Sequence, residues 1–216
     1  MRLAGRNRLA WIVAALAFTT VARAAAASSP TPAVPCATVS DCFAEMVRAQ
    51  GEVSSVKARF KQTKRIALLR EPLVSTGTFV FQRPDRVRWQ VVSPEPMVIE
   101  INGEHIRAGE DAEHLSAIDA GGATSVFRDL AGVFTGAGTY ASDRFRVTQG
   151  PGGPYSFVVT PRAASLARVI ASLEIDADPS SRWPRRAVIH EPDGDTTEVE
   201  LSDMVVNAPI DPGLFE

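Results

Sequence analysis

Residues 79–89 read Phe-Val-Phe-Gln-Arg-Pro-Asp-Arg-Val-Arg-Trp, two β-prone runs on either side of a cationic turn that a proline stiffens. The same period of two runs through the neighbouring sequence. Val56, Ala58 and Phe60 alternate with Lys57, Arg59 and Lys61, which predicts a long strand from residue 53 towards 69, broken at Pro72. Further strands are expected at 73–81, 87–92 and 97–101, and Asn102-Gly103 is a hairpin signal into 105–108, completing an antiparallel meander. Later strands are expected at 145–149, 155–160, 169–176, 187–190 and 196–206, with turns at 150–154, 178–181 and Asp193-Gly194.

Two stretches depart from this period. Thr38, with Asp41 three residues on, makes a capping-box-like start, and Val39, Phe43, Met46 and Val47 then share one helical face until Gly51. That stripe is expected to pack on the sheet. Residues 111–140 place Leu115, Ile118, Phe127, Leu130, Val133 and Phe134 at helix-compatible spacing, interrupted by Gly121-Gly122. One or two short helices there would either plug a barrel or form a lid over a cavity.

The N-terminus reads as an export signal. Arg2, Arg6 and Arg8 precede an apolar run over residues 9–21, and small residues then offer cleavage sites beginning at Ala22-Arg23-Ala24. The run is too short for a membrane span of about 20 apolar residues. The expected organisation is a signal peptide over 1–24, a flexible Ala-, Ser-, Thr- and Pro-rich lead-in over 25–37, and one domain over 38–216. Loss of the signal removes four arginines, taking 23 basic against 25 acidic residues to 19 against 25, a net charge of −6. A nucleic-acid partner would need a basic face, so this balance argues against one. In an exported chain Cys36 and Cys42 favour a structural disulfide over free thiols. Two sulfurs with no histidine nearby make half a zinc site, so neither a metal nor a cofactor is expected.

Catalytic chemistry has little support. His105, His114 and His190 have no partner at metal-ligand spacing, and the chain has no Gly-x-Ser-x-Gly elbow, phosphate-binding glycine loop or His-Glu-x-x-His. Asp111 with His114 is an acid–imidazole pair at i, i+3, which on a solvated helix is ordinary surface decoration.

Phe60-Lys61-Gln62, then Gly77, Phe81-Gln82-Arg83-Pro84 and Arg88-Trp89, resemble in order and spacing the LolA family of periplasmic outer-membrane lipoprotein carriers. Asn102-Gly103, residues 157–162, Asp193-Gly194 and Val206-Asn207-Ala208-Pro209-Ile210 with Leu214-Phe215 extend the likeness over most of the mature chain. The resemblance implies a mainly β fold with helices, an unclosed antiparallel β-barrel with a helical lid over a hydrophobic cavity. It also implies a periplasmic, monomeric carrier that takes acylated lipoprotein from an inner-membrane release complex and passes it to an outer-membrane receptor. Phe60, Phe79, Phe81, Val87 and Trp89 would wall the cavity, although core packing explains Trp89 as well as cargo contact does. Arg83 with Pro84 would form the latch. A guanidinium has five donors in a rigid fork, enough to hold several lid carbonyls at once, which a lysine cannot copy. An exposed turn arginine is the plainer alternative.

The sequence departs from the family at residues 107–110, where Arg-Ala-Gly-Glu replaces an aromatic-x-Pro step, and in the Cys36 and Cys42 pair. A second reading is therefore an accessory carrier of another hydrophobic envelope molecule, a lipid or lipid-linked pigment, working with an inner-membrane exporter. A third is an enzyme using the barrel mouth as its pocket, with Asp111 and His114 as its only support.

Overall fold

The structure, a computed structural model, describes residues 36–103, 105–111, 116–117 and 145–215. Helix α1 (Val39–Gly51) starts at Thr38, whose hydroxyl oxygen accepts from the Asp41 backbone N–H. The cap satisfies one of the amide groups that a helix start leaves without a partner. Cys36 and Cys42 are joined as a disulfide across this first turn, with Cα atoms 5.1 Å apart.

Eleven strands follow among the described residues: β1 (Ser55–Arg65), β2 (Leu73–Gln82), β3 (Arg86–Ser93), β4 (Met97–Asn102), β5 (His105–Gly109), β6 (Ser116–Ala117), β7 (Phe145–Gln149), β8 (Ser156–Pro161), β9 (Ser172–Ala177), β10 (Pro184–His190) and β11 (Thr196–Val206). They form one antiparallel sheet in the order β6-β5-β4-β3-β2-β1-β11-β10-β9-β8-β7, open between its edge strands β6 and β7. Two meanders therefore meet where the last strand pairs with the first, Phe60 opposite Leu201.

Most of the expected strands form, with three corrections. β1 ends at Arg65 rather than near residue 69, because Leu69 N–H turns back to the Ile66 carbonyl and Ala67 N–H is taken by the Asp195 carboxylate. β9 begins at Ser172 rather than 169, because the good helix formers before it make a short helix α2 (Ala164–Ala167). Ser116–Ala117 pair with Arg107 and Ala108 as a strand, where spacing predicts helix. The proposed lid residues Leu115, Ile118, Phe127, Leu130, Val133 and Phe134 lie outside the described residues, as do 1–35.

Strand alternation separates two faces. On the inner face Val56, Phe81, Val87, Ile101 and Ile106 stand side by side across β1–β5, all buried. Val199, Ala187, Ile175 and Phe157 continue the apolar surface across β11–β8. Helix α1 lays Cys42, Phe43 and Met46 into this same cluster, and Phe43 meets Phe157 edge-to-face at 5.1 Å. The C-terminal 3-10 turn, Pro212–Phe215, packs against the opposite face at β3, where Arg88 Nη1 donates to the Leu214 carbonyl at 3.0 Å and Arg86 sits 5.9 Å from the Phe215 ring centre.

Candidate functional site

The inner wall of β1–β3 gathers the five residues proposed for the cavity. Phe81 faces Val87 and Phe79 faces Trp89 across β2 and β3. Phe60 is 2 % and Phe81 0 % exposed, and Trp89 is half-buried. The Phe60 ring reaches over β2 to stack on Trp89 at 3.9 Å, and Phe79 meets the same indole edge-to-face at 6.0 Å. Only a glycine allows that crossing. A Cβ on Gly77, the cross-strand partner of Phe60, would lie 1.9 Å from the Gln90 carbonyl oxygen and 2.7 Å from Phe60 Cζ.

Arg83 stands at the end of β2, where the chain turns towards β3, and grips the link between α1 and β1. Its Nη2 donates to the Gln50 carbonyl, its Nε to the Val53 carbonyl and its backbone N–H to the Ser54 carbonyl, each at 2.8 Å. Carbonyls at a helix C-terminus have no partner within the helix, and a planar cation supplies both the donors and the favourable charge. Its acceptors among the described residues thus belong to α1 and the following turn, whereas the sequence reading expected carbonyls of the lid. From the other side Asn207 Oδ1 accepts from Ser54 N–H at 2.8 Å and from Ser54 Oγ at 3.0 Å, and Ser55 Oγ donates to the Ala208 carbonyl. Asn207 has φ +57°, a left-handed conformation that asparagine tolerates better than most residues.

A second clamp, not foreseen from the sequence, fixes the middle of α1. Tyr155 donates its hydroxyl to Glu45 Oε2 at 2.5 Å, Arg182 Nη2 donates to Glu45 Oε1 at 3.3 Å, and the Arg182 guanidinium lies 4.1 Å from the Tyr155 ring centre. Hydrogen bonds from Tyr155 and then Arg182 hold the Glu45 carboxyl below its usual 4.5. Burial first, then the neighbouring Glu45, raises the Tyr155 phenol. The helix-facing position of Glu45 and the strand-end position of Tyr155 are readable in sequence; their meeting, 110 residues apart, is not.

An open cavity of about 820 Å³ lies at the far end of β1–β5 from Arg83. It is within the roughly 300–1,000 Å³ of small-molecule sites. Val91, Met97 and Ala108 line it with Leu73 and Val74 at its mouth, and none of the five proposed wall residues does. Leu73, Val74 and Met97 are exposed here, and Leu68 on the adjacent hairpin tip is 94 % exposed. Gln62, Lys64 and Glu95 add polar and charged groups to the lining, as does Glu110, which with Gly109 comes from the segment that departs from the family pattern.

Other ionisable groups among the described residues pair with one another. Glu100 is buried between Arg88 and Arg107 beneath the C-terminal turn. His190 Nε2 lies 3.0 Å from Glu174, beside Arg186 and its partners Asp176 and Glu198. His105 is exposed on β5, and His114 is outside the described residues, so its pairing with Asp111 is not seen. Glu191, Asp193 and Asp195 gather their carboxylates within 4.8 Å of one another. Lys64 pairs with Glu191 at 3.1 Å, and Asp195 accepts from Ala67, so this turn fastens the β10–β11 hairpin to the β1–β2 hairpin. No described helix is long and apolar enough to cross a membrane.

The family described as outer membrane lipoprotein carrier protein LolA matches residues 51–216. No curated protein matches the chain in sequence. Solved structures of similar shape include a DUF1329 family protein from Desulfovibrio piger, 9 % identical with TM-score 0.48, covering 84 % of this chain and 97 % of its own. A LolA superfamily protein from Nitrosomonas europaea is 8 % identical with TM-score 0.43, covering 80 % and 96 %. The Mycobacterium tuberculosis lipoprotein LppX is 14 % identical with TM-score 0.47, covering 80 % and 97 %.

Proposed function

Since the chain belongs to the LolA family, we propose that it is a monomeric periplasmic carrier, not an enzyme, that shields acyl chains of lipoproteins between its sheet and α1. In this reading residues 1–24 are a cleaved signal peptide, 25–37 a lead-in and 38–216 the carrier domain. An inner-membrane release complex loads it and an outer-membrane receptor unloads it. The observation that carries the reading is the three-bond grip of Arg83 on the α1–β1 link, set over a continuous apolar inner face. Cargo entering between helix and sheet would displace α1 and break that grip, so Arg83 acts as the latch.

A carrier must also release. Enclosing about 24 methylenes at about 0.8 kcal/mol each would contribute about 19 kcal/mol, close to the practical ceiling of roughly 18–21 kcal/mol. The packed state of the empty protein, with Phe60, Phe79 and Trp89 already in contact, competes with cargo and lowers this figure. Transfer to a more apolar acceptor then runs downhill without a nucleotide.

One observation favours the second reading, an accessory carrier of a lipid or lipid-linked pigment working with an exporter. Ala108, Gly109 and Glu110, which stand where the family has its aromatic-x-Pro step, line the open cavity.

Uptake of the hydrocarbon probe diphenylhexatriene tests the carrier reading. The protein should take it up saturably, and Arg83→Lys should speed its exchange by at least about tenfold, the ~1.4 kcal/mol that one charge-assisted hydrogen bond readily supplies. Absence of uptake contradicts the carrier, and uptake with unchanged exchange in Arg83→Lys contradicts the latch.

A further inference from the structure

The inner face changes character partway along β1 and β2. On β1 it runs Val56, Ala58 and Phe60, then Gln62 and Lys64; on β2 it runs Phe81, Phe79 and Gly77, then Ser75 and Leu73. The change falls just past the stack of Phe60 on Trp89, and the four positions beyond it all line the open cavity. Val91, Met97 and Ala108 give the same cavity an aliphatic side. A space meant for hydrocarbon alone gains nothing from a polar lining, because each polar group that a chain covers loses water without a new partner.

The charges of the cavity are divided between its flanks. The strand order sets Lys64 on the β1 side and places Glu95, in the β3–β4 turn, and Glu110, after β5, on the other. The Lys64 ammonium is half-buried and held by Glu191 at 3.1 Å, which engages one of its three donors. Glu95 and Glu110 are exposed and have no ion-pair partner among the described residues.

We propose that the open cavity is the headgroup site for a zwitterionic lipid of the phosphoethanolamine class. The phosphate lies at Lys64, the ammonium at Glu95 and Glu110, and the acyl chain continues between sheet and α1. This rests on the carrier reading, in the form that takes a lipid, and names the class of that lipid. A primary ammonium donates charge-assisted hydrogen bonds to carboxylates. An anionic headgroup would meet Lys64 but set its net charge against two unpaired carboxylates. A bare hydrocarbon would answer none of these groups.

The test displaces diphenylhexatriene with myristoyl lysophosphatidylethanolamine and with myristoyl lysophosphatidylglycerol, both below their micelle-forming concentrations. The two share chain and phosphate and differ in the ammonium. The wild-type protein should prefer the ethanolamine lipid by about fivefold at low salt, a size set by two partly exposed ion pairs, and less as salt rises. Glu95→Gln/Glu110→Gln should abolish the preference. Glu52→Gln/Asp203→Asn, which removes two exposed charges that do not line the cavity, should keep it. Lys64→Gln should weaken both lipids alike. Each ratio is read within one variant, so a general change in uptake cancels. Uptake of the probe by the wild type with no preference overturns the inference and leaves the carrier reading intact. So does a preference that survives Glu95→Gln/Glu110→Gln, one that is lost equally in Glu52→Gln/Asp203→Asn, or undiminished binding of both lipids in Lys64→Gln. No uptake of diphenylhexatriene by the wild type overturns the carrier reading and this inference with it.

Discussion

Phe60 can stack on Trp89 because the residue between them, Gly77, has no side chain. Gly77→Ala would drive a methyl into the Gln90 backbone carbonyl and the Phe60 ring, neither of which is a flexible side-chain end. It should destabilise the protein by about 1–3 kcal/mol and alter the near-ultraviolet circular dichroism of Trp89; a wild-type denaturation midpoint and spectrum would contradict this account of the wall. Gly77, Phe60 and Trp89 are all visible in the sequence as motif residues. Their mutual contact is not, because it depends on the register that places Gly77 opposite Phe60. Arg83 is legible in the same way. Its acceptors are not, since backbone carbonyls at 50, 53 and 54 carry no mark of residue type.

At the scale of elements, alternation and turn chemistry locate nearly every strand, since one buried face makes period and register agree. The errors fall at ends where local propensity yields to a contact from elsewhere. Asp195 pulls the chain out of β1 at Ala67, and Ser116–Ala117 pair with β5 despite helix-compatible neighbours. Helix α1 is readable in full, yet what holds it is not, because Arg83, Tyr155 and Arg182 come from three turns distant in sequence. The Glu45 clamp makes the seating of α1 depend on pH. Folding lowers the Glu45 pKa, so the contact contributes fully above the ordinary carboxylate value of 4.5 and is lost as the pH falls below it through the depressed folded value. Hydrogen exchange of the α1 amides should accelerate over that acid range in the wild type, beyond the change in the sheet, and the excess should vanish in Glu45→Gln. An acid acceleration that persists in Glu45→Gln would place the sensitive group elsewhere.

For the whole molecule, the open antiparallel sheet with its apolar inner face follows from two meanders joined by β1 and β11. That much was within reach of the sequence, because Val56, Ala58 and Phe60 alternate with Lys57, Arg59 and Lys61 along β1. The distribution of space was not. The aromatic residues expected to line an open cavity are packed against one another and α1, while the 820 Å³ of open volume lies beyond them, next to the exposed Leu73, Val74 and Met97. An empty carrier that closes on itself at one end and stays open at the other would load from the open mouth and widen towards Arg83. The claim that the molecule exists to hold an acylated guest is tested most directly by native mass spectrometry of the protein recovered from the periplasm. The account predicts a population heavier than the polypeptide by the mass of an acylated molecule that leaves on denaturation; the bare polypeptide alone would contradict it.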